Sequence, residues 1–168
     1  MDSPLDIRLT PFTDPVAQAL VDELQQEFVV RYGGPDETPI DPTEFDPPSG
    51  AFFLGWLPDG RARRDPVVTG AWRRRPDVSA LGGAVAAEVK RMYVVPRAQR
   101  RGLARLMLRH LEVTAAAGGA DVMVLETGAA QPEAIALYES SGYEPIEGYG
   151  YYRDSPSVRY LGKRLTGG

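Results

Sequence analysis

The chain has no cysteine at all and one histidine, His110, in 168 residues. No disulfide framework and no thiol nucleophile can be built from it, and a His/Cys metal cluster is out of reach. The absence of metal is therefore expected. No apolar run approaches the roughly 20 residues needed to span a bilayer, and the opening residues MDSPLDIRLT lack the basic and apolar regions of a secretory signal. A cytoplasmic chain with no membrane partner is expected. Positive charge is also short: 19 Lys and Arg stand against 23 Asp and Glu, a net charge of −4, which argues against general nucleic-acid binding through phosphate neutralisation. Neither a GK[ST] phosphate loop nor a three-glycine dinucleotide fingerprint occurs.

What remains is ordinary for a globular chain: hydrophobic residues at 43% and charged residues at 25%. The length suits one domain, residues 1–168. Leu5 to Pro11 alternates as a strand. Asp14 and Pro15 then open a helix with Val16, Leu20, Leu24 and Phe28 on one face, ending near Tyr32 and Gly33-Gly34. Residues 34–50 are rich in proline and acid and read as a long loop with a short helix from Pro42 to Phe45. Residues 51–57 and 66–75 form a hairpin whose connection includes Pro58-Asp59-Gly60, and a strand from Ala84 to Val95 follows. The helix opened by Gly102 has apolar positions at Leu103, Leu106, Met107, Leu111 and Ala115, and Gly118-Gly119 stops it. A strand (Val122 to Thr127), a helix (Pro132 to Ser140) and two final strands (Tyr143 to Ile146, Ser157 to Arg164) complete an α/β or α+β order with helices on both faces of a mixed sheet.

The stretch Glu88 to Glu112 organises this order. A strand ends at Pro96, a basic turn follows, and Gly102 opens a helix whose first-turn N–H groups and dipole suit an anion such as phosphate. Arg97, Arg100, Arg101, Arg105 and Arg109 crowd this end, while acids gather between Asp36 and Asp46.

Gln99, Arg100, Arg101, Gly102, Leu103 and Ala104 fit Q/R-x-x-G-x-G/A between strand and helix, and resemble the acetyl-CoA pyrophosphate loop of the GNAT N-acetyltransferase superfamily. The segment from Gln131 to Tyr143 is similar to that superfamily's N-x-x-A-x-x-x-Y-x-x-x-G-F, with Gln131 in place of asparagine and Tyr143 in place of phenylalanine. The resemblance implies a GNAT-like mixed sheet of six or seven strands and acetyl-CoA as cosubstrate. It assigns cofactor contacts to Met92, Tyr93 and Val94 on the strand, to Gln99, Arg100, Arg101, Gly102, Leu103, Ala104 and Arg105 at the turn, and to Gln131. Tyr138 matches the tyrosine that faces the CoA sulfur. Glu88 takes the place of the general base of the histone-acetyltransferase branch, and strand alternation is expected to put it on one face with Lys90, Met92 and Val94.

The acceptor is expected to be a small cationic amine, received in a mouth formed by Asp36, Glu37, Asp41, Glu44, Asp46, Tyr32 and the Tyr149-Gly150-Tyr151-Tyr152 segment. The alternatives are a protein N-terminus or lysine as acceptor, or a catalytically silent acyl-CoA-binding module. Unpaired edge strands near the C-terminus suggest a homodimer.

Overall fold

A computed structural model describes residues 4–58 and 65–165. The turn expected at Asp59-Gly60 lies outside the described residues. A seven-stranded sheet in the order β1-β2-β3-β4-β5-β7-β6 carries the fold: β1 (Asp6–Leu9), β2 (Gly50–Trp56), β3 (Val68–Arg74), β4 (Ala86–Val94), β5 (Val122–Gly128), β6 (Glu144–Pro145) and β7 (Val158–Arg164). Three α-helices, α1 (Pro15–Tyr32), α2 (Leu103–Ala117) and α3 (Pro132–Ser140), join it among the described residues, with a 3-10 turn at Pro42–Phe45. The mixed α/β architecture read from the sequence is the one observed.

Local chemistry sets the element ends. Asp14 caps α1 by accepting from the Val16 and Ala17 N–H groups, with Pro15 at the first position. The buried stripe of α1 is Ala17, Leu20, Val21 and Leu24, so Val16, 49% exposed, lies beside the stripe rather than on it. Helix α2 buries Leu103, Met107, Leu108, Leu111 and Ala115.

The helices take opposite faces. Trp72 Nε1 on β3 donates to Thr114 Oγ1 of α2 at 3.0 Å, and Phe53 on β2 meets His110 edge-on. On the other face Tyr93 donates to Glu23 of α1, and Phe12 packs on Phe45 and Phe52. Gly70 lets α2 approach the sheet closely, since a Cβ there would sit 2.5 Å from Met107 Cγ. Gly70→Ala should cost about 1–3 kcal/mol through overpacking and lower Tm by roughly 2–10 °C, which calorimetry can check.

Two irregularities in β4 position everything that follows. The first is a bulge: Lys90 pairs with Ala71 and Tyr93 with Thr69, so Arg91 and Met92 together oppose Gly70. Arg91 adopts φ 57°, a left-handed conformation costly for a residue with a side chain. It is held by Thr69 Oγ1, which donates to the Arg91 carbonyl at 2.6 Å, and by the Arg91–Asp36 ion pair. The second is the short pairing of β4 with β5, parallel and confined to Ala86–Glu88 against Val122–Val124. Beyond Glu88 and Val124 the strands part, leaving facing edges without strand partners.

Candidate active site

Where β4 and β5 part, a cleft of about 460 Å³ opens. Its walls are Val89, Lys90, Arg91 and Met92 from β4, Glu126, Thr127 and Gly128 from β5, and Gln131, Ala134 and Tyr138 from α3. The end of α1 and the following loop contribute Tyr32, Asp36 and Glu37, and the segment before β7 contributes Tyr152.

The bulge corrects the expected face of β4. Simple alternation puts Glu88, Lys90, Met92 and Val94 together. The extra residue reverses the alternation, so Met92 joins Gly70 and Met107 on the α2 face while Glu88, Lys90 and Tyr93 stay on the α1 face. Met92 lines the cleft; Glu88 is outside its walls.

Glu88 is instead the centre of a buried ion cluster. Only 1% exposed, it accepts from Arg73 Nε at 2.9 Å and from Arg75 Nη1 at 3.0 Å through Oε1. Burial pushes its carboxyl up, but the Lys90, Arg73 and Arg75 charges outweigh it and hold the group below the usual carboxylate value. Tyr149 packs above it, stacked by Arg75 and edge-on to Tyr160, its hydroxyl pushed well up by burial and by the Glu88 charge. Arg73 also donates to the Pro39 carbonyl and Glu44, so this cluster fastens the 34–50 loop to the sheet. A carboxylate clamped in this way is a poor proton acceptor.

Glu126, on β5 where the strands separate, does face the cleft. Burial raises its carboxyl above the ordinary value against the pull of Lys90, whose Nζ lies 3.6 Å away, and the Glu88 and Asp36 charges raise it further. A carboxylate poised upward in a cleft has the character of a general base. Nothing in the sequence marks it, because it sits within an otherwise apolar strand run.

Asp36 divides its charge between Lys90 Nζ at 3.2 Å and Arg91 Nη1 at 3.0 Å. Burial opposes its ionisation, but Lys90, hydrogen bonds from Thr38 and then Arg91 hold it well below the usual range. The expected acidic mouth is thus only half formed. Asp36, Glu37, Tyr32 and Tyr152 line the cleft, and the Tyr152 hydroxyl accepts from the Glu37 N–H at 2.8 Å. Asp41 and Glu44 are consumed in capping the 3-10 turn, Asp46 lies exposed at its end, and Tyr149 is buried behind Glu88.

Tyr138 reaches the cleft from α3, edge-on to Tyr143 with centroids 5.7 Å apart. Burial pushes its hydroxyl up to about 12, and it makes no hydrogen bond among the described residues. Gln131 Nε2 donates to the Tyr32 hydroxyl at 3.2 Å on the cleft wall.

At the head of α2, Gly102 takes φ 75° and Arg100 φ 65°. The N–H groups of Arg100 through Arg105 find no backbone acceptor among the described residues; the first regular bond is Leu106 N–H to the Gly102 carbonyl. Gln99 is turned to the Val94 carbonyl, and the Arg105 guanidinium donates to Ser140 and Ser141 on α3. Arg100 and Arg101 are exposed beside these free donors, so the turn has the donors and charge of an anion site. Among the described residues there is no cluster of three or more His, Cys, Asp or Glu side chains arranged to hold a metal ion. No helix among them is long and apolar enough to cross a membrane.

Residues 17–143 match the model of the acetyltransferase (GNAT) family. A protein named "IAA acetyltransferase" from Azospirillum brasilense is 30% identical over 158 residues, spanning 94% of this chain and 95% of its own length. Among solved structures, a Klebsiella pneumoniae protein described as an acyl-CoA N-acyltransferase superposes with a TM-score of 0.73 at 25% identity, covering 96% of this chain and 97% of its own. A GNAT family acetyltransferase from Elizabethkingia anophelis with acetyl-CoA bound shares the fold at a TM-score of 0.63 and 14% identity, over 98% of this chain and 100% of that one.

Proposed function

Since the chain belongs to the GNAT acetyltransferase family, we propose that it transfers the acetyl group of acetyl-CoA directly to an amine bound in the cleft between β4 and β5. One observation carries this reading: the cleft has unpartnered strand edges along its walls, close to a helix head with free N–H groups and exposed arginines.

In this reading the pyrophosphate of acetyl-CoA rests on the N–H groups of Arg100 to Arg105, and the pantetheine adds to the free edge of β4 at Met92, Tyr93 and Val94. Gln131, on the opposite wall, lies beside the pantetheine. A backbone N–H at the Arg91–Met92 bulge faces the thioester carbonyl and stabilises the developing oxyanion. The amine lone pair forms the new C–N bond as the C–S bond breaks. The amine proton passes to Glu126, and the departing sulfur accepts a hydrogen bond from Tyr138. An alkylammonium of pKa about 10.4 must first lose a proton, a cost of ~4–5 kcal/mol at neutral pH that a nearby carboxylate offsets in part.

Tyr138 cannot deliver its proton freely. With its hydroxyl near 12 and a thiolate near 8.5, full transfer runs uphill by about 5 kcal/mol. Its contribution is hydrogen bonding to the developing thiolate, so Tyr138→Phe should lower kcat by roughly 10- to 100-fold with little change in the acetyl-CoA KM. Steady-state kinetics with acetyl-CoA as the varied substrate checks this.

The test of the function itself is release of free CoA thiol from acetyl-CoA by the purified protein across a panel of amines, amino acids and peptides. Acceptor-dependent release matched by N-acetylated product supports the reading. Tight acetyl-CoA binding with no transfer to any acceptor overturns it in favour of a silent binding module.

A further inference from the structure

Arg91 is buried to 8% exposure, yet only one of its three guanidinium nitrogens is used. Nη1 meets Asp36 at 3.0 Å. Nε is buried with no partner, and Nη2, on the same edge of the guanidinium, makes no hydrogen bond among the described residues. An unsatisfied buried donor is costly, and a charged one more so. The left-handed backbone of the bulge fixes the residue, so its side chain has little freedom to seek solvent. The residue lines the cleft, on the α1 side of β4 with Asp36 and Lys90.

We propose that the free Nε–Nη2 edge of Arg91 is a carboxylate-binding position, and that the acceptor is an amino-acid-like molecule carrying both a free amine and a carboxylate. This deepens the acetyl-transfer reading and rests on it for the fate of the amine. The geometry of the donors selects the ligand: two parallel N–H groups on one planar edge match the two oxygens of a carboxylate. A dianionic phosphate would need a second free cation. The other cation lining the cleft, Lys90, is already held between Asp36 at 3.2 Å and Glu126 at 3.6 Å. Charge bears on the other end of the molecule: Asp36, Glu37 and Glu126 on the lining exceed Lys90 and Arg91 by one, which favours an ammonium beside the carboxylate. A zwitterion adds no net charge, and it sets its ammonium toward Glu126 and its carboxylate toward Arg91. A simple cationic amine leaves the Arg91 edge bare.

The experiment uses the whole protein with acetyl-CoA and a panel of α- and ω-amino acids, each beside its carboxamide and the amine lacking the carboxyl group. For the best amino acid, kcat/KM should exceed that of its carboxamide by roughly 100-fold or more, since the site is built around a polar group that the analogue lacks. Arg91→Lys should compress that preference by at least about tenfold, read as the ratio of amino acid to carboxamide within the variant so that any general loss at the bulge cancels. The wild-type panel stands even if the variant folds poorly, and a melting curve identifies that case. Carboxamides or plain amines that match the amino acids overturn the inference and leave the transfer reading intact. So does an Arg91→Lys variant that slows every acceptor equally. If no acceptor is acetylated, calorimetric titration of the same amino acids into the CoA-bound protein decides. Carboxylate-dependent binding lost in Arg91→Lys upholds this inference while the transfer reading fails, and absence of binding overturns both.

Discussion

Glu126→Gln is expected to lower kcat/KM for the acceptor by about 10²–10⁴-fold while leaving the melting temperature nearly unchanged. The side chain keeps its size, and the ion pair it loses is the long 3.6 Å contact to Lys90, which still has Asp36. Its pH profile is the sharper sign. In the wild-type protein, kcat/KM falls toward acid for two reasons: the amine protonates, and Glu126 protonates below its raised pKa and ceases to accept a proton. In Glu126→Gln only the amine's ionisation remains, so the rate still falls toward acid but the lower limb, where Glu126 protonation steepens that fall, disappears. A variant that keeps the lower limb would exclude Glu126 as the base.

Glu88→Gln should show the opposite pattern. Removing the charge leaves Arg73 and Arg75 facing each other around a neutral amide, and breaking a buried pair in this way costs roughly 3–5 kcal/mol. The amide oxygen has two lone pairs and can still accept from both guanidiniums, as Oε1 does, which places the loss at the lower end of that range. Against a total stability of about 5–15 kcal/mol, that is a large fraction, visible in a denaturant midpoint. The pH dependence of stability has a definite sign. The folded pKa of Glu88 is lowered, so its contribution is present above the unfolded carboxylate value and is lost as pH falls through the folded one. Glu88→Gln should therefore flatten the acid side of the stability curve while retaining the lower limb of the kcat/KM profile. Because Arg73 also holds the Pro39 carbonyl and Glu44, loosening of the 34–50 loop should raise the acceptor KM.

The contrast between these glutamates shows where the sequence was sufficient and where it was not. The elements proposed to hold the donor were legible because their requirements are local: a glycine at φ 75° before an amphipathic helix, and a second helix carrying Tyr138. Helix caps such as Asp14-Pro15 were legible for the same reason. The shared face of Glu88 and Met92 was misread because alternation along β4 was carried through residues 91–92, and the bulge there uses an arginine where a glycine would have marked the left-handed turn. Its stability comes from Thr69 and Asp36, 22 and 55 residues away in the chain, and no local pattern reports such partners. Asp36 likewise read as one acid in a polar loop, although it is the residue that draws Lys90 and Arg91 together. The arrangement of β5, β7 and β6 depends on long-range pairing, and with it the position of Glu126 on the cleft wall.

A crystal structure of the protein with acetyl-CoA should show the cofactor lying between the parted strands β4 and β5. The pyrophosphate should accept hydrogen bonds from the Arg100–Arg105 main chain, with the thioester between the Met92 backbone and the Tyr138 hydroxyl and its carbonyl carbon open to the side where Glu126 lies. A cofactor bound outside the cleft, or with its thioester turned away from Tyr138 and Glu126, would contradict the proposed transfer.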